Sequence, residues 1–134
     1  MGPCMKNRLK EKKVLVVDDE ESIRKLFEMA LKQRGYQVFS AESGEAALEL
    51  LKNEEIPVMF LDLNLPGIDG IELCREIIEK APDTIAYAIT GFPASYKSTD
   101  YKGAGFKDYF SKPLSLETLY AAAENAFSME LAVS

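Results

Sequence analysis

Short apolar runs alternate with segments of helical periodicity along most of the chain. Residues 14–17 and 58–61 are uninterrupted apolar runs, typical of strands that are buried on both faces of a parallel sheet. Between such runs, apolar residues recur at intervals of three or four, as in helices that cover a sheet. This alternation predicts an α/β domain of five strand–helix units, with helices on both faces of a parallel sheet.

The boundaries of these elements are set by residues that end or begin regular structure. The predicted strands are residues 14–17, 36–40, 58–61, 84–89 and 107–110. Gly35 is expected to end the first helix, while Ser43 and Ser115 are expected to begin the second and the last. The fourth helix, residues 94–102, is rich in serine, threonine and tyrosine and is a weak helix former.

The last helix is predicted to bury one apolar stripe. Its inward residues are expected to be Leu116, Leu119, Ala123 and Phe127.

Composition limits the class of protein. A chain of 134 residues fits one domain, assigned to residues 13–129, with a basic leader at 1–12 and a tail at 130–134. The net charge of −6 argues against nucleic acid as a direct partner. Two cysteines, Cys4 in the leader and Cys74 in a helix, do not indicate a disulfide framework. Without a membrane-length apolar run or a secretory signal, we expect a cytoplasmic protein that does not enter a membrane.

Polar residues follow four of the five predicted strands. Asp18 and Asp19 follow the first strand, Asp62 the third, Thr90 the fourth and Lys112 the fifth. Because the carboxyl ends of parallel strands meet at one edge, we expect these side chains to converge in one crevice. The chain contains no histidine, so carboxylates, hydroxyls and lysines must supply the chemistry.

The converging residues predict a site for phosphoryl transfer. Crowded carboxylates favour a divalent cation with oxygen ligands, of which Mg²⁺ is the expected one. Lys112 and the cation would neutralise an incoming phosphoryl group, and Thr90 would hydrogen-bond one of its oxygens. Asp62, at the centre, is then the natural nucleophile.

Each residue also has a purely structural interpretation when it is taken alone. Asp18 or Asp19 is a suitable N-cap for the first helix, Thr90 can satisfy a backbone group, and Lys112 can be a solvated turn residue. The joint occurrence at strand ends favours function.

Four motifs resemble those of the receiver domains of two-component response regulators, the CheY-like superfamily. They are LVVDDE at 15–20, DLNLPGIDG at 62–70, TG at 90–91 and DYFSKP at 108–113. The resemblance extends over residues 13–127. It implies a flavodoxin-like (βα)5 doubly wound sandwich with a five-stranded parallel sheet in the order 2-1-3-4-5.

The resemblance also implies roles for individual residues. Asp62 would accept a phosphoryl group from a histidine kinase or a histidine phosphotransfer protein. Asp19 and Asp62 would bind Mg²⁺ (or Mn²⁺) directly and Asp18 largely through water, with the backbone carbonyl of Asn64 as a further ligand.

The motifs around strands four and five imply a conformational switch. Thr90 and Tyr109 match the switch hydroxyl and the switch aromatic of the family. Lys112 matches its phosphate-binding lysine, and the peptide bond to Pro113 is expected to be cis.

Two further residues are expected to modulate the lifetime of the phosphoryl group. Asn64 and Phe92 should overhang it, and the ring of Phe92 cannot orient an attacking water. Slow self-dephosphorylation follows, unless Phe92 folds away into its loop or against the fourth helix.

A receiver of this kind is a signalling domain and not an enzyme in the usual sense. It would be a monomer or a phosphorylation-dependent dimer and would act on a target protein or output domain through the face of the fourth helix, fifth strand and last helix. A stand-alone regulator, a phosphorelay intermediate and a piece of a longer protein all fit the sequence. An aspartate-nucleophile Mg²⁺ phosphatase fits poorly, because the second aspartate that it needs is replaced by Asn64. A degenerate binding module would lack the complete set of site residues.

Overall fold

Five parallel strands alternate with five helices, as the hydrophobic pattern predicts. The computed structural model describes residues 12–91 and 98–133. The strands are β1 (Lys13–Val17), β2 (Gln37–Ala41), β3 (Val58–Asp62), β4 (Ile85–Thr90) and β5 (Asp108–Ser111). The helices are α1 (Glu21–Gln33), α2 (Gly44–Leu51), α3 (Gly70–Lys80), α4 (Ser98–Ala104) and α5 (Leu116–Val133).

The sheet has the strand order β2-β1-β3-β4-β5, and every adjacent pair is parallel. The predicted order 2-1-3-4-5 and the flavodoxin-like fold are thereby confirmed. The winding direction reverses between β1 and β3, which leaves a crevice beyond the carboxyl ends of these two strands. This crevice is where the polar strand ends meet.

Two apolar layers enclose the sheet. On one face, β1 and β3 contribute Val14, Val16 and Phe60, which pack with buried residues of α1 and α5. On the other face, Leu15 and Leu61 pack with residues of α2, α3 and α4. Alternate residues of the central strands therefore enter opposite layers, which explains why these strands are apolar without interruption.

The three helix boundaries predicted from Gly35, Ser43 and Ser115 are found at these residues. Gly35 follows α1 with φ +88°, a left-handed conformation that glycine adopts without a steric penalty. Ser43 Oγ accepts a hydrogen bond from the N–H of Ala46 (3.1 Å), and Ser115 Oγ accepts one from the N–H of Thr118 (3.1 Å). Both serines satisfy donors that the first turn of a helix leaves unpaired.

The structure corrects three details of the sequence prediction. Leu116 is 46% exposed and not inward, because it is the first residue of α5 and burial begins one turn later, at Leu119. α4 ends at Ala104, two residues later than predicted, and positions 94–97 lie outside the described residues. α5 continues to Val133, into the segment assigned to a tail, because no glycine or proline ends it there. None of the described helices combines the length and apolar character needed to cross a membrane.

Candidate functional site

Two buried carboxylates lie side by side at the carboxyl edge of the sheet. Asp62 is the last residue of β3, and Asp18 directly follows β1. These strands are adjacent and parallel, with Val17 paired with Leu61, so Asp18 and Asp62 extend from the same edge. Both are buried, whereas the neighbouring Asp19 is exposed. The predicted convergence of these three residues is found.

Asp18, Asp19 and Asp62 form what we call the acid cluster. One carboxylate oxygen from each residue lies within 4.8 Å of the other two. Like charges at this separation repel one another, and a nearby cation relieves the repulsion.

The ammonium of Lys112 contacts two members of the acid cluster and one further carboxylate. Its Nζ is 2.9 Å from Asp18 Oδ2, 3.1 Å from Asp62 Oδ2 and 3.1 Å from Glu20 Oε1. The backbone N–H of Lys112 donates to the carbonyl of Thr90 (2.8 Å), which ties the residue after β5 to the end of β4. The lysine predicted to hold a phosphoryl group therefore faces the predicted phosphoacceptor.

The two buried carboxylates are held in the same way. Asp18 Oδ1 accepts a hydrogen bond from the N–H of Glu20 (2.9 Å), and Asp62 Oδ1 accepts one from the N–H of Asn64 (3.0 Å). In each case the donor is the backbone two residues later, and the other oxygen, Oδ2, faces Lys112. The backbone thus fixes both carboxylates before any ligand arrives.

Burial and neighbouring charges shift the pKa values of Asp18 and Lys112 in opposite directions. Burial raises the pKa of Asp18 above its usual value, although the N–H of Glu20 and the ammonium of Lys112 oppose this effect. Burial alone would lower the pKa of Lys112, but Asp18, Asp62 and Glu20 together raise it well above that of an ordinary lysine. Lys112 is therefore a permanent cation at neutral pH.

Thr90 closes one side of the site from the end of β4. It is buried, and its Oγ accepts a hydrogen bond from the side-chain amide of Asn64 (3.4 Å). The hydroxyl predicted to contact a phosphoryl oxygen is therefore linked to the loop that follows Asp62.

Tyr109, the predicted switch aromatic, lies on β5 with 39% of its surface exposed. Its ring packs against that of Tyr101 on α4, with centroids 4.8 Å apart. In this conformation the ring belongs to the surface between α4 and β5. The family resemblance implied a switch role for Tyr109 but gave no indication of its aromatic partner, Tyr101.

The donor set fits a divalent cation. The acid cluster offers three carboxylate oxygens, the ligand type that Mg²⁺ prefers. In addition, Asp18 Oδ2 is buried, and the Lys112 ammonium lies 2.9 Å from it. A buried carboxylate oxygen is costly without a cationic partner, so this position already favours positive charge.

Two predictions remain, one for the Lys112–Pro113 peptide bond and one for Phe92. The Lys112–Pro113 peptide bond is cis, as the motif implied. Phe92 lies outside the described residues.

Sequence reasoning assigned no role to two residues that contact this site. Glu20 binds the Lys112 ammonium, and Arg24 Nη1 donates to the backbone carbonyl of Asp18 (2.8 Å). The signal for Glu20 was present in the sequence, as a third acidic residue in a row after β1. Its partner lies 92 residues away, so the pairing was visible only in the fold.

The fold and the site define a class of protein, and comparison with known proteins agrees. The sequence matches the family model described as the response regulator receiver domain over residues 14–124. The chain belongs to this family, the receiver domains of two-component signal transduction systems.

Similar proteins of known sequence or structure lie within the same family. The chain is 38% identical over 109 residues to the uncharacterized transcriptional regulatory protein YrkP of Bacillus subtilis (strain 168). This match covers 81% of the chain and 46% of YrkP, so the chain spans about half of that relative.

Two solved structures show the same likeness. The receiver domain of NtrX from Brucella abortus is 30% identical with a TM-score of 0.80, covering 86% of this chain and 98% of that one. The chemotaxis response regulator CheY4 of Vibrio cholerae is 28% identical with a TM-score of 0.80, covering 87% and 98%.

Proposed function

We propose that the chain receives a phosphoryl group on Asp62 from the phosphohistidine of a histidine kinase or phosphotransfer protein. The observation that carries this proposal is the position of Asp62 Oδ2, which lies 3.1 Å from the Lys112 ammonium within the acid cluster. A carboxylate oxygen of Asp62 attacks phosphorus, the bond from phosphorus to the imidazole nitrogen breaks, and the nitrogen keeps the electron pair. The product is an acyl phosphate on Asp62.

A divalent cation, Mg²⁺ or Mn²⁺, fits the acid cluster. Asp18, Asp19 and Asp62 would hold it with the backbone carbonyl of Asn64. When bound, the cation supplies positive charge next to the oxygens of the transferring phosphoryl group. Asp18 is prepared for this role because the N–H of Glu20 fixes its carboxylate and its Oδ2 already faces a cation, the Lys112 ammonium.

Lys112 and Thr90 stabilise the phosphoryl group from the protein side. Lys112 is a cation that already contacts Asp62, so it can follow the negative charge onto the phosphoryl oxygens with a small movement. The Thr90 hydroxyl, which accepts a hydrogen bond from the side-chain amide of Asn64, can donate its own hydrogen to one of these oxygens.

Signalling then proceeds through a shift between two conformations. Thr90 moves toward the phosphoryl group, and the ring of Tyr109 turns inward from the surface where it now packs on Tyr101. The surface of α4, β5 and α5 changes as a result, and a target protein or an output domain recognises that change.

Acetyl phosphate with Mg²⁺ tests the reaction without a kinase. We expect the intact mass to increase by one phosphoryl group, and we expect no increase when the cation is chelated. Asp62→Asn keeps the side-chain shape but removes the nucleophile, so it should remain unlabelled.

The same assay separates the two alternatives. An aspartate-nucleophile phosphatase would hydrolyse acetyl phosphate continuously without accumulating label. A binding module would neither gain mass nor consume the donor. Either result would overturn the proposal.

A further inference from the structure

Glu20 differs from the other two carboxylates that contact Lys112. Asp18 and Asp62 are buried and belong to the acid cluster, whereas the Glu20 side chain is 58% exposed and lies outside that cluster. Lys112 therefore bridges the interior of the site and its rim. The three contacts are similar in length, so the ammonium is shared among them.

A cation bound to the acid cluster would use the same oxygens that now face Lys112. Asp18 Oδ2 and Asp62 Oδ2 are the atoms in contact with the ammonium. Two cations that approach one pair of oxygens repel each other. Lys112 must then loosen its contact with Asp18 and Asp62 while it stays close enough to reach a phosphoryl group.

The backbone of Glu20 is anchored while its carboxylate is free of any role in the helix. Its N–H donates to Asp18 Oδ1 (2.9 Å), and its carbonyl accepts from the N–H groups of Ile23 and Arg24 (3.2 Å each). Glu20 is the N-cap residue of α1, but its side chain makes no capping hydrogen bond. The carboxylate is thus held at the rim of the site, where Lys112 is its partner.

We propose that Glu20 is a positioning residue that holds the Lys112 ammonium at the rim when a divalent cation occupies the acid cluster. This inference rests on the proposed function. Without Glu20, the displaced ammonium lacks a partner and returns to Asp18 and Asp62, where it opposes cation binding. Glu20 therefore favours a site that contains both the cation and Lys112.

The adjacent residue provides a matched control for the charge of Glu20. Glu21 is also acidic and exposed (70% for its side chain), but it pairs with Lys25 on α1 (3.4 Å) and does not contact Lys112. Glu20→Gln and Glu21→Gln therefore remove the same charge from neighbouring positions. Only Glu20→Gln removes a contact with Lys112.

The experiment measures the dissociation constant of Mn²⁺ by electron paramagnetic resonance of the free ion. We expect Glu20→Gln to weaken Mn²⁺ binding by roughly three- to tenfold, the equivalent of one partly exposed charge-assisted hydrogen bond. Glu21→Gln should change it by less than about twofold, because exposed charges are screened.

A second background tests whether Lys112 is the intermediary. In Lys112→Met the competing ammonium is gone, so Glu20→Gln should have no larger effect than Glu21→Gln. A structural role of Glu20 in α1 would instead leave its effect unchanged in this background.

The outcomes are distinct. Equal effects of the two glutamate variants, or an effect of Glu20→Gln that persists in Lys112→Met, would overturn the role of Glu20 and leave the proposed function standing. Failure of the unsubstituted protein to bind Mn²⁺ would overturn the proposed function itself.

Discussion

The ring of Tyr101 packs against the ring of Tyr109, with centroids 4.8 Å apart and planes inclined at 50°. Tyr101 is buried in the layer under α4, while Tyr109 remains 39% exposed. A buried aromatic thus holds the predicted switch residue in an outward position. An aromatic pair of this kind contributes about 0.5–1.5 kcal/mol beyond the area that it buries.

Removing the Tyr101 ring should shift Tyr109 toward the inward conformation before any phosphorylation. In Tyr101→Leu, the loss of the aromatic pair predicts a change of roughly two- to tenfold in the ratio of inward to outward rings. Tyr101→Phe keeps the ring and should resemble the unsubstituted protein. The ¹⁹F resonance of fluorotyrosine at position 109, assigned with Tyr109→Phe, reports the ratio. An identical spectrum in Tyr101→Leu would show that Tyr101 does not hold Tyr109.

Gly70 lies in close contact with the backbone of Asp62 and Leu63. A Cβ at this position would collide with the carbonyl oxygen of Asp62 and would lie 2.8 Å from Leu63 Cα. Gly70→Ala should therefore lower the free energy of unfolding by about 1–3 kcal/mol, as overpacking does.

Gly103 is the matched control for this substitution, since a Cβ there meets nothing within 4 Å. Gly103→Ala, in α4, should be neutral or stabilising by up to about 1 kcal/mol, because alanine is the better helix former. Urea unfolding of both variants gives the comparison. Equal stability of the two variants would mean that the backbone near Asp62 tolerates a Cβ.

Cys74 is a fully buried thiol on α3, and burial raises its pKa from 9.0 to about 12. The folded protein therefore holds the thiol proton more tightly than the unfolded chain. The resulting stability is present below the unfolded pKa and is lost as the pH rises toward the folded value.

Two measurements test the burial and the raised pKa of the Cys74 thiol. In a Cys4→Ser background, a thiol reagent at about pH 8 should label the protein only when it unfolds, because the native thiol is protonated and inaccessible. The difference in unfolding free energy between Cys74 and Cys74→Ala proteins should also shrink by about 1 kcal/mol per pH unit above about pH 9. Rapid labelling under native conditions would contradict the buried assignment.

The sequence predicts which site residues converge wherever the strand order alone determines their positions. Asp18, Asp62 and Thr90 all lie at the ends of apolar parallel strands, so their meeting follows from the topology. The caps at Ser43 and Ser115 follow from local hydrogen bonding.

Features that depend on side chains distant in sequence were not predictable. The contact of Glu20 with Lys112 spans 92 residues, and the packing of Tyr109 on Tyr101 depends on how α4 meets β5. The exposure of Leu116 was missed for a related reason: helical periodicity does not indicate where the helix first meets the sheet.

The identity of the phosphorylated residue is the central claim, and borohydride trapping tests it most directly. Borohydride reduces an acyl phosphate to an alcohol, which converts a phosphorylated aspartate into homoserine. After treatment with acetyl phosphate and Mg²⁺, peptide mass spectrometry should find homoserine at position 62 and aspartate at positions 18 and 19. No conversion should occur in Asp62→Asn. Homoserine at position 18 or 19, or a protein labelled equally in Asp62→Asn, would contradict the account.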